Sequence, residues 1–341
     1  MNGIKVIKIG GNVVDNPLLL EQFIRDFSAI GTPKVLVHGG GVMASQMQKQ
    51  LGQQPVMIEG RRVTDAETLK VVTMVYAGWC SKSIVALLQK NGCNAIGLSG
   101  ADADLIRATK RPPVRKYGPS SSDSEELQGD SNNPDSMNSH GVPGDNNNPD
   151  CGGSDDNLAG RTETVIDYGY VGDVDPQRIN AGFLMQLINA GITPVVCAIT
   201  HDGNGNLLNT NADTIASSIA VSLASCNGIQ AHDTAASYHK ASATVEECHA
   251  FAPEDEFRRA VSLIYCFEKD GVLYEKDDDG SVILEITPGY FRQLKEEGRV
   301  AAGMIPKLDN SFKALENGVR EVVIKHARNL GNGIGTRLKL R

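Results

Sequence analysis

Two short apolar, largely β-branched runs, residues 4–9 and 35–37, each stop at a cluster of glycines: KIGG at 8–11 and VLVHGGGV at 35–42. Between them Asn16-Pro17 opens a segment in which Leu19, Leu20, Phe23, Ile24 and Phe27 recur at helical spacing, and Gly31 closes it. Asparagine suits an N-cap, and proline suits the first helical position, where no N–H is needed. Another helical pattern follows the second glycine cluster, from about 43 to 51. Glycine loses more backbone entropy on folding than any other residue, so three in a row need a reason. A linker is excluded because a buried strand precedes them and a helix follows. A P-loop is excluded because no GK[ST] follows.

The rhythm continues. TDAE at 64–67 matches a capping box and opens a long amphipathic pattern that runs to Lys90. Residues 94–98 read as a strand, Asp175-Pro176 opens a helix to about 190, 193–199 is a strand and 213–224 a helix. Later come strands at 262–267 and 321–325 and helices at 288–297 and 306–316. Strands separated by helices predict an α/β fold: a three-layer α/β/α sandwich around a mainly parallel central sheet. Ligands in such sheets bind beyond the carboxyl ends of the strands, and both early glycine clusters fall there.

Two stretches interrupt this pattern. Residues 118–160 hold seven Asp, two Glu and no Lys or Arg, a local charge of −9 that leaves +1 for the rest of a chain whose total is −8. The whole of 117–160 is low in apolar residues and repeats NNPD, so it is expected to be a disordered acidic insert. Residues 226–260 form a second, atypical insert with no clear periodicity. His232, His239, Cys248 and His249 lie in it, but their spacing fits no common zinc module. The seven cysteines (80, 93, 151, 197, 226, 248 and 266) form no CxxC pair. That pattern fits reduced thiols rather than a disulfide framework. No basic stripe points to nucleic acid. No apolar run approaches the length of a membrane span, and MNGIKVIKIGG lacks the shape of a signal peptide. The expected location is the cytoplasm, with no membrane partner.

Six short segments remain as candidates for chemistry: KIGG, HGGG at 38–41, GRRVTD at 60–65, NTNAD at 209–213, EKDGVL at 268–273 and GMIPK at 303–307. Glycine turns let backbone N–H groups approach phosphate oxygens, and lysines at strand or helix starts neutralise their charge. Such parts suit phosphoryl transfer, which is mainly positioning and electrostatic stabilisation. A carboxylate acceptor is already ionised at pH 7 and needs no general base. Taken alone, Asp213 reads as a helix N-terminal carboxylate favoured by the macrodipole, and His38 reads as a structural histidine.

In their order and spacing these segments resemble the amino-acid kinase superfamily, and within it the N-acetylglutamate kinases. The matching stretches are roughly 4–116, 161–225 and 261–337. The resemblance implies the amino-acid kinase fold and a role for each matching position. Lys8 and Lys307 correspond to the two lysines that flank the transferring phosphoryl group, and Asp213 to the carboxylate that holds them. Gly10 and Gly11 would face phosphate oxygens. Gly40 and Gly41 would contact the substrate near its reacting carboxylate, Arg62 would bind a substrate carboxylate, and Asn209 would hold the amino-acid part. Phe267, Glu268, Lys269, Gly271 and the turn at Gly303 correspond to nucleotide-binding segments. Two positions depart from the family's pattern: Asn12, where a lysine or serine is usual, and Glu268, where an aspartate is common.

The resemblance further implies ATP as phosphoryl donor, with Mg²⁺ carried on its phosphates and no protein metal site. The acceptor would be the γ-carboxylate of N-acetyl-L-glutamate, a step in arginine biosynthesis. N-Succinyl-L-glutamate is the alternative substrate, and a non-catalytic amino-acid or nucleotide sensor of the same fold is the rival from another class. Residues 1–225 would form an N-lobe for amino-acid binding and dimerisation, and 226–341 a C-lobe for ATP. Arginine-sensitive hexameric relatives carry an extra helix before the first strand. With that strand beginning near Ile4, the expectation is a homodimer insensitive to arginine.

Overall fold

The computed structural model describes residues 3–117, 163–226, 260–275, 277–300 and 303–341. The disorder expected for 117–160 and the histidine- and cysteine-bearing insert at 226–260 therefore lie outside the described residues, apart from Tyr117, Cys226 and Ala260. The described chain forms two compact units, one comprising residues up to Arg111 together with those from Tyr168 onward, the other Pro112–Asp167.

The strands in chain order are β1 (Ile4–Ile9), β2 (Lys34–His38), β3 (Met57–Ile58), β4 (Arg61–Arg62), β5 (Ala95–Leu98), β6 (Ile106–Lys110), β7 (Val114–Tyr117) and β8 (Glu163–Ile166). They continue with β9 (Gly172–Ile179), β10 (Thr193–Cys197), β11 (Ile199–His201), β12 (Leu207–Asn209), β13 (Val261–Phe267), β14 (Glu285–Ile286), β15 (Glu321–His326) and β16 (Thr336–Leu338). Eight of them form the central sheet in the order β14-β16-β15-β13-β1-β2-β10-β5. Every neighbouring pair is parallel except β15–β16. All five residues of β2 and of β10 are buried, as a parallel strand covered on both faces requires. This is the expected α/β sandwich.

Register places the functional segments side by side. Lys8 on β1 stands opposite Val37 on β2 and Tyr265 on β13, and Ile9 stands opposite His38. The KIGG and HGGG loops therefore leave the same edge of the sheet on adjacent strands, and the Phe267–Gly271 loop leaves it on the other side of β1. A smaller sheet, β12-β11-β6-β9, carries Asn209 at the end of β12. In the second unit β7 and β8 pair antiparallel, with Val114 opposite Ile166.

Two details correct the sequence expectations. Residues 175–179 belong to β9, not to a helix, and the following helix Ala181–Asn189 is capped by Asn180, whose side chain accepts from Phe183 N–H. The cap of the helix at 66 is Asp65 rather than Thr64: Asp65 accepts from Thr68 N–H at 2.7 Å, while Thr64 is buried and donates to the Arg62 carbonyl. The long helix Ala66–Lys90 reaches membrane-spanning length and apolarity, a test that core helices also pass. It contributes Val71, Val72, Val75, Ile84 and Leu88 to the protein core. Its middle turns, Met74–Cys80, are π-helical.

Candidate active site

At the carboxyl edge of the sheet two lysines meet one carboxylate. Lys8 Nζ lies 2.6 Å from Asp213 Oδ1, and Lys307 Nζ lies 3.2 Å from Asp213 Oδ2. Lys8 comes from a central strand. Asp213 comes from the first turn of the helix Ala212–Ser225, whose N-cap Asn211 accepts from the N–H groups of Asp213 and Thr214. Lys307 comes from the first turn of the helix Ile305–Glu316, just after Pro306. Tyr265 Oη donates to the Asp213 carbonyl at 3.2 Å and ties this helix start to β13. Burial by itself pushes the Asp213 carboxyl up, but the two ammonium groups outweigh it and hold its pKa below the ordinary aspartate value. The result is an ionised carboxylate that fixes two cations close together, with Lys307 still 26% exposed.

Beside this cluster is a cavity of about 170 Å³, walled by Gly40, Gly41, Arg62, Tyr76, Asn209 and their neighbours. Gly40 has φ +159, and a Cβ there would lie 2.9 Å from both Cys80 Sγ and Tyr76 Cδ1, so both backbone and space demand glycine. Gly41 lines the cavity and begins the helix Gly41–Gln50, so the positive end of the helix dipole starts at the cavity wall. Arg62 is buried. Its Nη2 donates to the Gly41 carbonyl at 2.8 Å and to Ser45 Oγ at 2.7 Å, and its Nη1 donates to Gln48 Oε1. Three of five guanidinium donors are thus engaged, and the guanidinium also bonds to the Tyr76 hydroxyl. Asn209 is buried and donates from Nδ2 to Thr64 Oγ1 at 3.0 Å.

The nucleotide-side expectations divide. Gly10 cannot offer its amide to phosphate, because Gly10 N–H donates to the Cys266 carbonyl at 2.9 Å. Gly11 opens the short helical turn Gly11–Val14. Asn12 Nδ2 donates to Glu268 Oε1 at 2.6 Å, so the two positions that depart from the family pattern touch each other. Phe267 packs its Cβ against Gly10. Lys269 is turned to Asp279, 2.6 Å away on the surface. Gly271 has a packing reason: a Cβ there would stand 2.5 Å from Thr336 Oγ1. Gly303 has open space around it.

Sequence reasoning missed Gln48, Ser45 and Tyr76. Gln48 and Ser45 are polar residues on a helix whose apolar periodicity is weak, and Gln48 is 1% exposed, which only the fold reveals. Tyr76 lies inside a continuous apolar pattern. His38 is wholly buried and its pKa is lowered to about 4 by burial, the Gly39 carbonyl bonded to Nδ1 offsetting only part of this. It is neutral and structural, as the sequence suggested. Burial also pushes Cys80 up to about 11 and Cys197 and Cys266 up to about 12, so none of the three supplies a thiolate nucleophile at neutral pH. Among the described residues no group of three His, Cys, Asp or Glu side chains is placed to hold a metal ion.

The model of the amino acid kinase family matches residues 3–234. A Cytophaga hutchinsonii acetylglutamate kinase is 41% identical over 330 residues, covering 97% of this chain and 94% of that relative. The Phocaeicola vulgatus acetylglutamate kinase is 41% identical over 334 residues, covering 98% and 97%. The Methanothrix thermoacetophila acetylglutamate kinase is 33% identical, covering 96% and 86%. Among solved structures, one from Streptococcus mutans UA159 aligns over the whole of both chains with TM-score 0.64 and 22% identity. The carbamate kinase from Giardia lamblia bound to AMP-PNP aligns over 100% of this chain and 99% of that one, with TM-score 0.55 and 13% identity. These two show a shared fold.

Proposed function

The chain belongs to the amino acid kinase family, and from that premise we propose that it is an acetylglutamate kinase. It transfers the γ-phosphoryl group of ATP to the γ-carboxylate of N-acetyl-L-glutamate, a step of arginine biosynthesis. A carboxylate oxygen forms a bond to the γ-phosphorus, the bond from phosphorus to the β–γ bridging oxygen breaks, and ADP leaves with the electron pair. The products are an acyl phosphate and ADP. The observation that carries this reading is the convergence of Lys8 and Lys307 on Asp213 from three segments far apart in sequence.

In this reading Lys8 and Lys307 neutralise charge on the transferring group, worth most in a site screened from water, and Asp213 holds them apart at a fixed spacing. Gly40 and Gly41 bring backbone N–H groups to the acceptor carboxylate. Arg62 and Asn209 bind the remainder of the amino acid, and Gly11, the Phe267–Gly271 loop and the turn at Gly303 flank the nucleotide. Mg²⁺ is carried on the nucleotide phosphates, because Asp213 is already committed to two lysines. Residues 1–225 serve the amino acid and 226–341 the nucleotide. The exposed Met74 and Trp79, 59% and 67% accessible in the middle of Ala66–Lys90, support a homodimer across that helix. A cytoplasmic location fits a consumer of ATP and small metabolites.

Arg61 favours a second reading of the substrate. It lines the cavity beside Arg62 and shares the field of the Asp173 carboxylate with Arg111, which pairs with that carboxylate directly. A second arginine in the cavity wall, whose neighbouring carboxylate is already engaged by Arg111, suits a further substrate carboxylate, as N-succinyl-L-glutamate has. ADP release measured with N-acetyl- and N-succinyl-glutamate tests both readings. Turnover with neither would leave a non-catalytic sensor of this fold.

A further inference from the structure

Tyr76 enters the cavity wall from a helix that changes its winding to place it. The π-helical turns Met74–Cys80 interrupt Ala66–Lys90, and such segments concentrate at functional sites, where they re-aim side chains. The Tyr76 residue is 6% exposed, yet it lines the cavity with Arg62 and Asn209. Its ring packs on the Gly40 backbone, and its hydroxyl stands 4.0 Å from the position of a Cβ on Gly41.

The hydroxyl sits at the cavity wall as a hydrogen-bond partner of the Arg62 guanidinium, which can only donate to it, so its own proton is left for a ligand. A buried phenol O–H needs an acceptor. The nearest charged group, Arg62, has only donors, and the Gly41 carbonyl and Ser45 Oγ already receive Arg62 Nη2. Burial raises the phenol's pKa and Arg62 draws it back only in part, so it remains a protonated donor at neutral pH. A ligand seated here must therefore bring an acceptor that faces both a guanidinium and a phenol, and a carboxylate does so with its two oxygens.

We propose that Tyr76 is a substrate-binding residue whose hydroxyl donates a hydrogen bond to the α-carboxylate of the acylglutamate, the same carboxylate that Arg62 pairs with. This rests on the acylglutamate kinase reading. It adds a neutral donor to the recognition of the amino acid and gives the π-helical turns a purpose.

Tyr76→Phe is the test, because it keeps the ring against Gly40 and removes the hydroxyl alone. The expected result is a KM for N-acetylglutamate raised about tenfold, as loss of a hydrogen bond to a charged group gives. The kcat, the KM for ATP and the melting temperature stay near those of the wild type. With the α-amide of N-acetylglutamate as substrate, the difference between the two proteins shrinks to within about threefold. A purely structural role would move none of these ratios. An unchanged KM for N-acetylglutamate in Y76F, an equal rise in the KM for ATP, or a full effect retained with the α-amide would each overturn the assignment. Failure of the wild type to release ADP with any acylglutamate would instead overturn the functional reading, and the ligand named here with it.

Discussion

Lys8 and Asp213 form an ion pair at 2.6 Å with both side chains nearly nine-tenths enclosed. Lys307 completes it at 3.2 Å while remaining more open to solvent. This asymmetry predicts different consequences for the two lysines. Lys307→Ala is expected to lower kcat about 100-fold, with little change in either KM, as loss of one preorganised charge stabiliser does. Its melting temperature should stay close to that of the wild type. Lys8→Ala should lower kcat at least as much and also destabilise the fold, because it leaves a buried carboxylate less compensated. Steady-state kinetics and thermal unfolding on both variants check this.

Asp213→Asn should cost about 3 kcal/mol of stability, the range for breaking a buried ion pair, because two ammonium groups then face each other without their carboxylate. The pH dependence follows from the lowered pKa of Asp213. A carboxylate whose folded pKa lies below its unfolded value contributes stability that is present above the unfolded value and lost as pH falls through the folded one. Urea unfolding at neutral pH and near pH 3 should show the wild type losing this contribution in the acid range and D213N having none to lose.

His38 supplies a second pH dependence of the opposite chemical type. Buried neutral with a pKa near 4, it binds fewer protons in the folded than in the unfolded chain between about pH 6.5 and 4. Stability therefore falls as pH drops through that window. From pH 6.5 to 5 the loss from this group is about 2 kcal/mol. His38→Gln should flatten the pH slope of unfolding free energy over that interval, whatever it does to stability at pH 7.5. An unchanged slope would show that His38 titrates normally.

Two of the glycines proposed to face ligands, Gly40 and Gly303, differ in what a methyl group would meet. Gly40→Ala meets Cys80 Sγ and Tyr76 Cδ1 at 2.9 Å in a conformation that disfavours any side chain. It should be destabilised by about 2 kcal/mol and lose nearly all turnover. Gly303→Ala meets nothing within 4 Å and has no positive φ, so its stability should be unchanged. Any loss of activity there would then report on the nucleotide turn itself.

Much of the central sheet was legible because its strands are buried on both faces and separated by helices with clear caps, as at Asn16, whose side chain accepts from Leu19 N–H. The Lys8, Asp213 and Lys307 cluster was legible only through the resemblance, since no local rule brings a strand lysine to a helix carboxylate. Asp175-Pro176 misled because a cap-like pair also suits an edge strand. Pro176 sits in β9, at the edge of the four-stranded sheet, where a missing N–H is tolerated. Tyr76 was hidden because the π-helical turns break the 3.6-residue period on which the reading of that helix depended. Asn12 and Glu268 each looked like isolated departures, and their contact at 2.6 Å joins the KIGG turn to the nucleotide-side loop, a relation that one-dimensional spacing does not contain.

The measurement that bears most directly on the central claim is trapping of the product with hydroxylamine, which converts an acyl phosphate to a hydroxamate. With ATP, Mg²⁺ and N-acetyl-L-glutamate, the account predicts hydroxamate formed in a one-to-one ratio with ADP, and a rate reduced about 100-fold in Lys307→Ala. ADP released without hydroxamate, or hydroxamate formed at an undiminished rate by the variant, would contradict it.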